Sequence, residues 1–220
     1  AHDRGLDLMV NAMCSSTADY DRDNDQDLYV AAGMFEGNFL MVNDGGDFEA
    51  YEAVTGDSVE VHLTSWASTW FDADNDGWED LHVCTGFSVY TNYPSILSQY
   101  PNVPDQLFWN DQGAFNEDDS GLFDANVLSF SSAASDYNLD GFPDLFSNAV
   151  GEYMQVLKAE PNPNRWLKVH LEGTVSNRDG VGARLRIYRD GLIGTRMTHC
   201  GENFLSQSSR WEHFGIGLST

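Results

Sequence analysis

Asp19-Tyr20-Asp21-Arg22-Asp23-Asn24-Asp25-Gln26-Asp27-Leu28 recurs as Asp72-Ala73-Asp74-Asn75-Asp76-Gly77-Trp78-Glu79-Asp80-Leu81, and again as Asp136-Tyr137-Asn138-Leu139-Asp140-Gly141-Phe142-Pro143-Asp144-Leu145. Each copy carries Asp or Asn at positions 1, 3 and 5, Asn or Gly at 6, Asp at 9 and Leu at 10. A hard cation such as calcium takes six to eight oxygens at about 2.3–2.6 Å, and a short loop supplies them by turning alternate carboxylates inward. Position 6 must turn sharply; Gly77 and Gly141 adopt positive φ at little cost, and Asn24 is the next best residue there. The eleven acidic residues at positions 1, 3, 5 and 9 repel one another unless a cation neutralises them.

The flanks decide what kind of loop this is. An EF-hand needs Glu at position 12 and helices on both sides, whereas position 12 here is Val30, Val83 or Ser147. Leu28-Tyr29-Val30 and Leu81-His82-Val83 favour strands, and each run soon meets a glycine, so the loop joins two strands. A second element follows: Asn43-Asp44-Gly45-Gly46-Asp47-Phe48 matches Asn110-Asp111-Gln112-Gly113-Ala114-Phe115, a hairpin turn that returns a Phe to the core. Loop, strand, hairpin and strand make a unit of about four strands, the size of a propeller blade.

These residues resemble the FG-GAP or VCBS repeats of calcium-binding β-propellers over roughly residues 1–157. The resemblance implies that Asp19, Asp21, Asp23 and Asp27 hold one ion, Asp72, Asp74, Asp76 and Asp80 a second, and Asp136, Asn138, Asp140 and Asp144 a third. It also implies coordination by the position-7 carbonyls of Asp25, Trp78 and Phe142, for about three calcium ions in all. Residues 3–8 look like half of another loop, too close to Asp27 for a whole blade. Three copies are also too few to close a propeller of four to eight blades, so missing blades or a partner would complete it.

The net charge of −24 is unevenly spread. Before residue 158 only Arg4 and Arg22 stand against 29 acids, a net −27; from Lys158 onward nine basic and six acidic residues give +3. That step divides the chain into 1–157 and 158–220, and the acidic part does not suit nucleic acid phosphates. No run of about 18 apolar residues suggests membrane insertion, while 41% hydrophobic residues are enough for a sizeable core. The chain opens at Ala1 inside a motif, which points to a processed or truncated N-terminus. Cys14, Cys84 and Cys200 form no CxxC; Cys14 and Cys84 are either a disulfide or two buried free thiols.

Beyond Pro161 the pattern changes. Leu167, Val169 and Leu171 alternate with Trp166, Lys168 and His170, and Leu185 and Ile187 alternate with Arg184, Arg186 and Tyr188, as in half-buried strands. Asn177-Arg178-Asp179-Gly180 and Arg189-Asp190-Gly191 supply turns. The strings NRWLKVHLEGTVSNRDGVGARLRIY and GENFLSQSSRWEHFGIG resemble the ASPIC/UnbV domain, which commonly follows such repeats in secreted bacterial proteins and in cartilage acidic protein-like chains. The expected fold is therefore all-β: a partial β-propeller of calcium-loop blades followed by a small β-sandwich-like module.

No catalytic constellation emerges. His199 and Cys200 are adjacent and point to opposite faces of a strand, and His62, His82, His170 and His213 are scattered on strand-like segments. Arg178-Asp179-Gly180 spells an integrin-binding tripeptide, but a turn explains it. The second repeat carries an insertion of 14 residues between Asp80 and Asn110, in which Tyr90, Tyr93 and Tyr100 alternate with prolines as rigid contact area for a protein or glycan partner. The expected function is a secreted or cell-surface, or periplasmic, interaction or adhesion module rigidified by calcium. A structural subunit of a larger extracellular assembly and a propeller enzyme acting on carbohydrate are the alternatives; partners include further copies of the chain or further blades.

Overall fold

The computed structural model describes residues 2–33, 36–52, 64–86, 104–123, 127–149 and 153–218. It is all-β, built from several small sheets. Strands β1 (Ala12–Ala18), β2 (Asp27–Ala32), β3 (Phe39–Asp44) and β4 (Asp47–Ala50) form one antiparallel sheet in chain order. Strands β5 (Ser65–Phe71), β6 (Asp80–Thr85), β7 (Gln106–Asp111) and β8 (Ala114–Glu117) repeat it. Among the described residues the third unit has three strands, β9 (Ser129–Ser135), β10 (Asp144–Ala149) and β11 (Gln155–Leu157). Among the described residues these sheets do not close into a ring.

Register shows why the Asp-rich loops start and stop where they do. Ala18 pairs with Asp27, Phe71 with Asp80 and Ser135 with Asp144, so each loop bridges the end of one strand to the first residue of the next. The hairpins form as their residues require: Gly45 and Gly46, like Gln112 and Gly113, all have positive φ. Asn43 Oδ1 accepts from Gly46 N and Asn110 Oδ1 from Gly113 N, both at 2.7 Å, while their amides donate to Gln26 O and Glu79 O. Each hairpin is thereby tied to its own Asp-rich loop.

The second sheet lies between the other two. Tyr29, Ala31, Leu40, Leu81, Val83 and Phe108 make one core cluster, and Phe71, Leu107, Ala134 and Leu145 another. Every residue of β6 is consequently buried, as expected of a strand covered on both faces. Cys14 and Cys84 are buried free thiols and Cys200 is an exposed one.

Among the described residues the C-terminal strands pair with one another: β12 (Arg165–Val169) with β15 (Glu212–Gly217), and β13 (Arg184–Tyr188) with β14 (Leu192–Met197). Leu185 and Ile187 are half-buried between exposed neighbours. In β12 the expected alternation fails: Trp166 and Leu167 are both exposed, and it is Trp166 and Lys168 that meet the third Asp-rich loop. A buried carboxylate and a glycine gap are stronger claims on that face than leucine has.

Candidate metal centres and the cavity beside them

All three loops share one hydrogen-bond scheme. The position-1 carboxylate accepts from the position-6 N–H (Asp19 from Asn24, 3.1 Å; Asp72 from Gly77 and Asp136 from Gly141, both 2.9 Å). Position 3 accepts from position 5, and position 5 from position 7: Asp74 from Asp76 at 2.9 Å, and Asp76 from Trp78 at 2.8 Å. Asp25 N and Phe142 N bond Asp23 and Asp140 in the same way. The position-9 Asp joins the loop's second residue to the next strand, Asp80 accepting from Ala73 N and Asn110 N at 2.9 Å each. Asn24, Gly77 and Gly141 have the expected positive φ, and so do Arg22, Asn75 and Leu139 at position 4.

In the first two loops this scheme gathers carboxylates. Oxygens of Asp19, Asp21 and Asp27 lie within 4.8 Å of one another, as do those of Asp72, Asp74 and Asp80. Asp23 and Asp76 stand outside these sets. Asp19 Oδ2 and Asp72 Oδ1 are buried and make no hydrogen bond. Burial, reinforced by neighbouring acids, pushes Asp27 and Asp72 up to about 8 and Asp80 well above the ordinary carboxylate range. Hard oxygen donors, orphaned and in need of neutralising charge, fit calcium.

The third loop carries its own cations. Lys168 Nζ binds Asp136 Oδ2, Lys158 lies 3.8 Å from Asp140, and Asn138 Nδ2 donates to Asp140 Oδ2 at 2.9 Å. Burial raises Asp136, but the bond from Lys168 and the Gly141 and Asp140 N–H groups outweigh it, leaving the carboxyl below its usual range. Asp144 is pushed up by burial.

The C-terminal strands cap the second loop as well. Gly215 N donates to Asp72 Oδ2 at 3.0 Å, Gly217 N to Asn75 O at 2.9 Å, and His213 Nε2 lies 2.6 Å from Asn75 Oδ1. Arg22 crosses from the first loop to stack 3.6 Å from the Trp78 ring centre. Behind this layer is a cavity of about 590 Å³, between the β1, β5 and β9 faces and the C-terminal residues. Asn203 spans its floor, accepting from Ser68 N and donating to Thr69 Oγ1 and Ser132 O. Arg196 pairs with Glu79 at 3.1 Å. Burial raises Glu79 and Glu212 to about 7 and lifts Glu202 as well. No sequence motif marks this cavity, because its residues come from five distant segments.

Tyr90, Tyr93, Tyr100 and His62 lie outside the described residues. Arg178 and Asp179 pair with Glu172 and Arg210 on the exposed surface of the C-terminal unit.

A family model described as ASPIC and UnbV matches residues 173–220. The matched stretch supplies Arg196, Asn203, His213 and Gly215, each in contact with the repeats. No curated protein matches the chain.

Proposed function

We propose that the chain is a secreted or cell-surface interaction module: calcium-binding blades of the FG-GAP/VCBS kind, part of a β-propeller, stiffened by metal and capped by the ASPIC/UnbV stretch. The observation that carries this reading is the pair of carboxylate sets, Asp19/Asp21/Asp27 and Asp72/Asp74/Asp80, each with two buried members and one half-buried, and each with a buried oxygen that makes no hydrogen bond. Calcium in these two loops would supply the missing charge. At the third loop it would have to displace the Lys168 ammonium, so binding there is weaker. Supporting a partner are the exposed Tyr153, Met154 and Val156 at the β11 side of the third sheet and Tyr137 in its loop, apolar surface of the kind that natural sheets usually cover at an edge. Calcium titration of the full chain by calorimetry tests the metal. Sedimentation with and without calcium tests for self-assembly through that edge; two calcium ions per chain are expected.

One observation favours a second reading, a carbohydrate-acting enzyme. Glu202 and Glu212 sit around one cavity with elevated proton affinity, as a general acid requires. Release of reducing sugar from a glycan panel, abolished in Glu212→Gln, would favour the enzyme over the interaction module.

A further inference from the structure

On the face of β6 turned toward the third sheet, His82 and Cys84 stand two residues apart, so their side chains point the same way. Asp105, just before β7, joins them. His82 and Cys84 have no exposed surface and Asp105 has 3%. A ring nitrogen, a sulfur and a carboxylate oxygen of the three lie within 4.8 Å of one another.

The first repeat fills the corresponding places with Tyr29, Ala31 and Asn38. Asn38 Oδ1 accepts from Ala32 N at 2.9 Å, as Asp105 Oδ1 accepts from Thr85 N at 3.0 Å. There Asn38 Nδ2 closes a neutral network, donating to Tyr29 Oη at 3.0 Å and Ser65 Oγ at 2.9 Å. In the second repeat the network stays open: His82 Nε2 faces Asp105 Oδ2 at 3.3 Å yet makes no hydrogen bond. A buried nitrogen set against a carboxylate oxygen without a directed N–H leaves room for a cation shared by both. Two ligands held about 2.0–2.1 Å from one tetrahedral ion stand about 3.3–3.4 Å apart, in agreement with the observed separation.

Outer partners are in place. His82 Nδ1 lies 3.1 Å from Ser132 Oγ, and Ser147 Oγ donates to Asp105 Oδ2 at 2.7 Å, the kind of support that orients metal ligands. Sulfur and imidazole donors do not suit calcium but do suit zinc and its neighbours. With its thiol fully enclosed, the set does not meet a substrate as a nucleophile.

We propose that His82, Cys84 and Asp105 form a buried site for one transition-metal ion of the zinc class, independent of the Asp-rich loops. The test is the full chain produced in zinc-depleted, cobalt-supplemented medium. One cobalt per chain with a thiolate-to-cobalt absorption is expected. Cys84→Ala, which copies Ala31, loses that absorption, whereas Ser132→Ala keeps it but weakens retention against a chelator about 10–100-fold. Asp105→Asn, which copies Asn38 and keeps the bond from Thr85, serves if Cys84→Ala does not fold; weaker retention supports the site, and unchanged retention counts against it. No thiolate-to-cobalt absorption in the parent chain, or an absorption that survives Cys84→Ala, overturns the proposal.

Discussion

Gly215 donates its N–H to Asp72 Oδ2 at 3.0 Å, so the last strand of the C-terminal unit rests directly on the first residue of an Asp-rich loop. A Cβ at Gly215 would stand 2.1 Å from that oxygen and 2.5 Å from the Asn75 backbone. Gly215→Ala therefore has no room without moving β15 off the loop. We expect a loss of about 1–3 kcal/mol, as for other overpacked sites, measured as a lower denaturation midpoint with the strands of both units retained.

Lys168 decides how the third loop differs from the first two. Lys168→Met removes the cation from Asp136 and leaves a buried carboxylate in need of one. Calorimetry should show calcium stoichiometry rising from two to three per chain. A third site that stays silent in this variant would mean that Lys168 is not what holds calcium off.

Proton uptake gives the metal-free chain a distinctive pH profile. Asp27 and Asp72 hold protons up to about pH 8 in the fold but lose them near the ordinary carboxylate value of about 4 when unfolded. Between those limits the folded chain binds more protons, so stability falls as pH rises. Melting temperature without calcium should drop from pH 5 to pH 8. Calcium should flatten that slope, since it replaces the protons, and it should bind more tightly at the higher pH.

Arg196 and Glu79 form an ion pair whose side chains are 10% and 7% exposed. Removing Arg196 leaves Glu79 buried without its cation. Since burial already pushes Glu79 up to about 7, it takes up a proton at neutral pH, and the cost falls short of the roughly 3–5 kcal/mol of an uncompensated buried charge. Arg196→Met should be destabilising, more so at pH 8 than at pH 6, and Arg196→Met with Glu79→Leu should recover much of the loss at pH 8. If the double variant is no better than the single one, the pair matters through other contacts, such as the one from Arg196 Nε to His213 O.

Much of the repeat architecture was legible because its causes are local. Position 9 opens a strand, position 6 takes positive φ, and Asn43 and Asn110 mark hairpins, each following from a residue's own chemistry. Position 4 carries no such mark, since Arg22, Asn75 and Leu139 take the same backbone conformation without a glycine. The contacts of Lys168 with Asp136 and of Trp166 with Gly141 join residues far apart in the chain, and no periodicity encodes them. Asp105 is separated from His82 by the long insertion, so no spacing motif announces their meeting.

Whether calcium completes the first two loops is read from the thermal melt of the full chain with calcium and with a chelator. Binding to the folded state alone adds about 2.7 kcal/mol for each site at a hundredfold excess over Kd, so the calcium-loaded chain should melt well above the chelated one. Asp72→Asn should shrink that difference. Identical melts with calcium and with chelator would mean that calcium does not complete these loops.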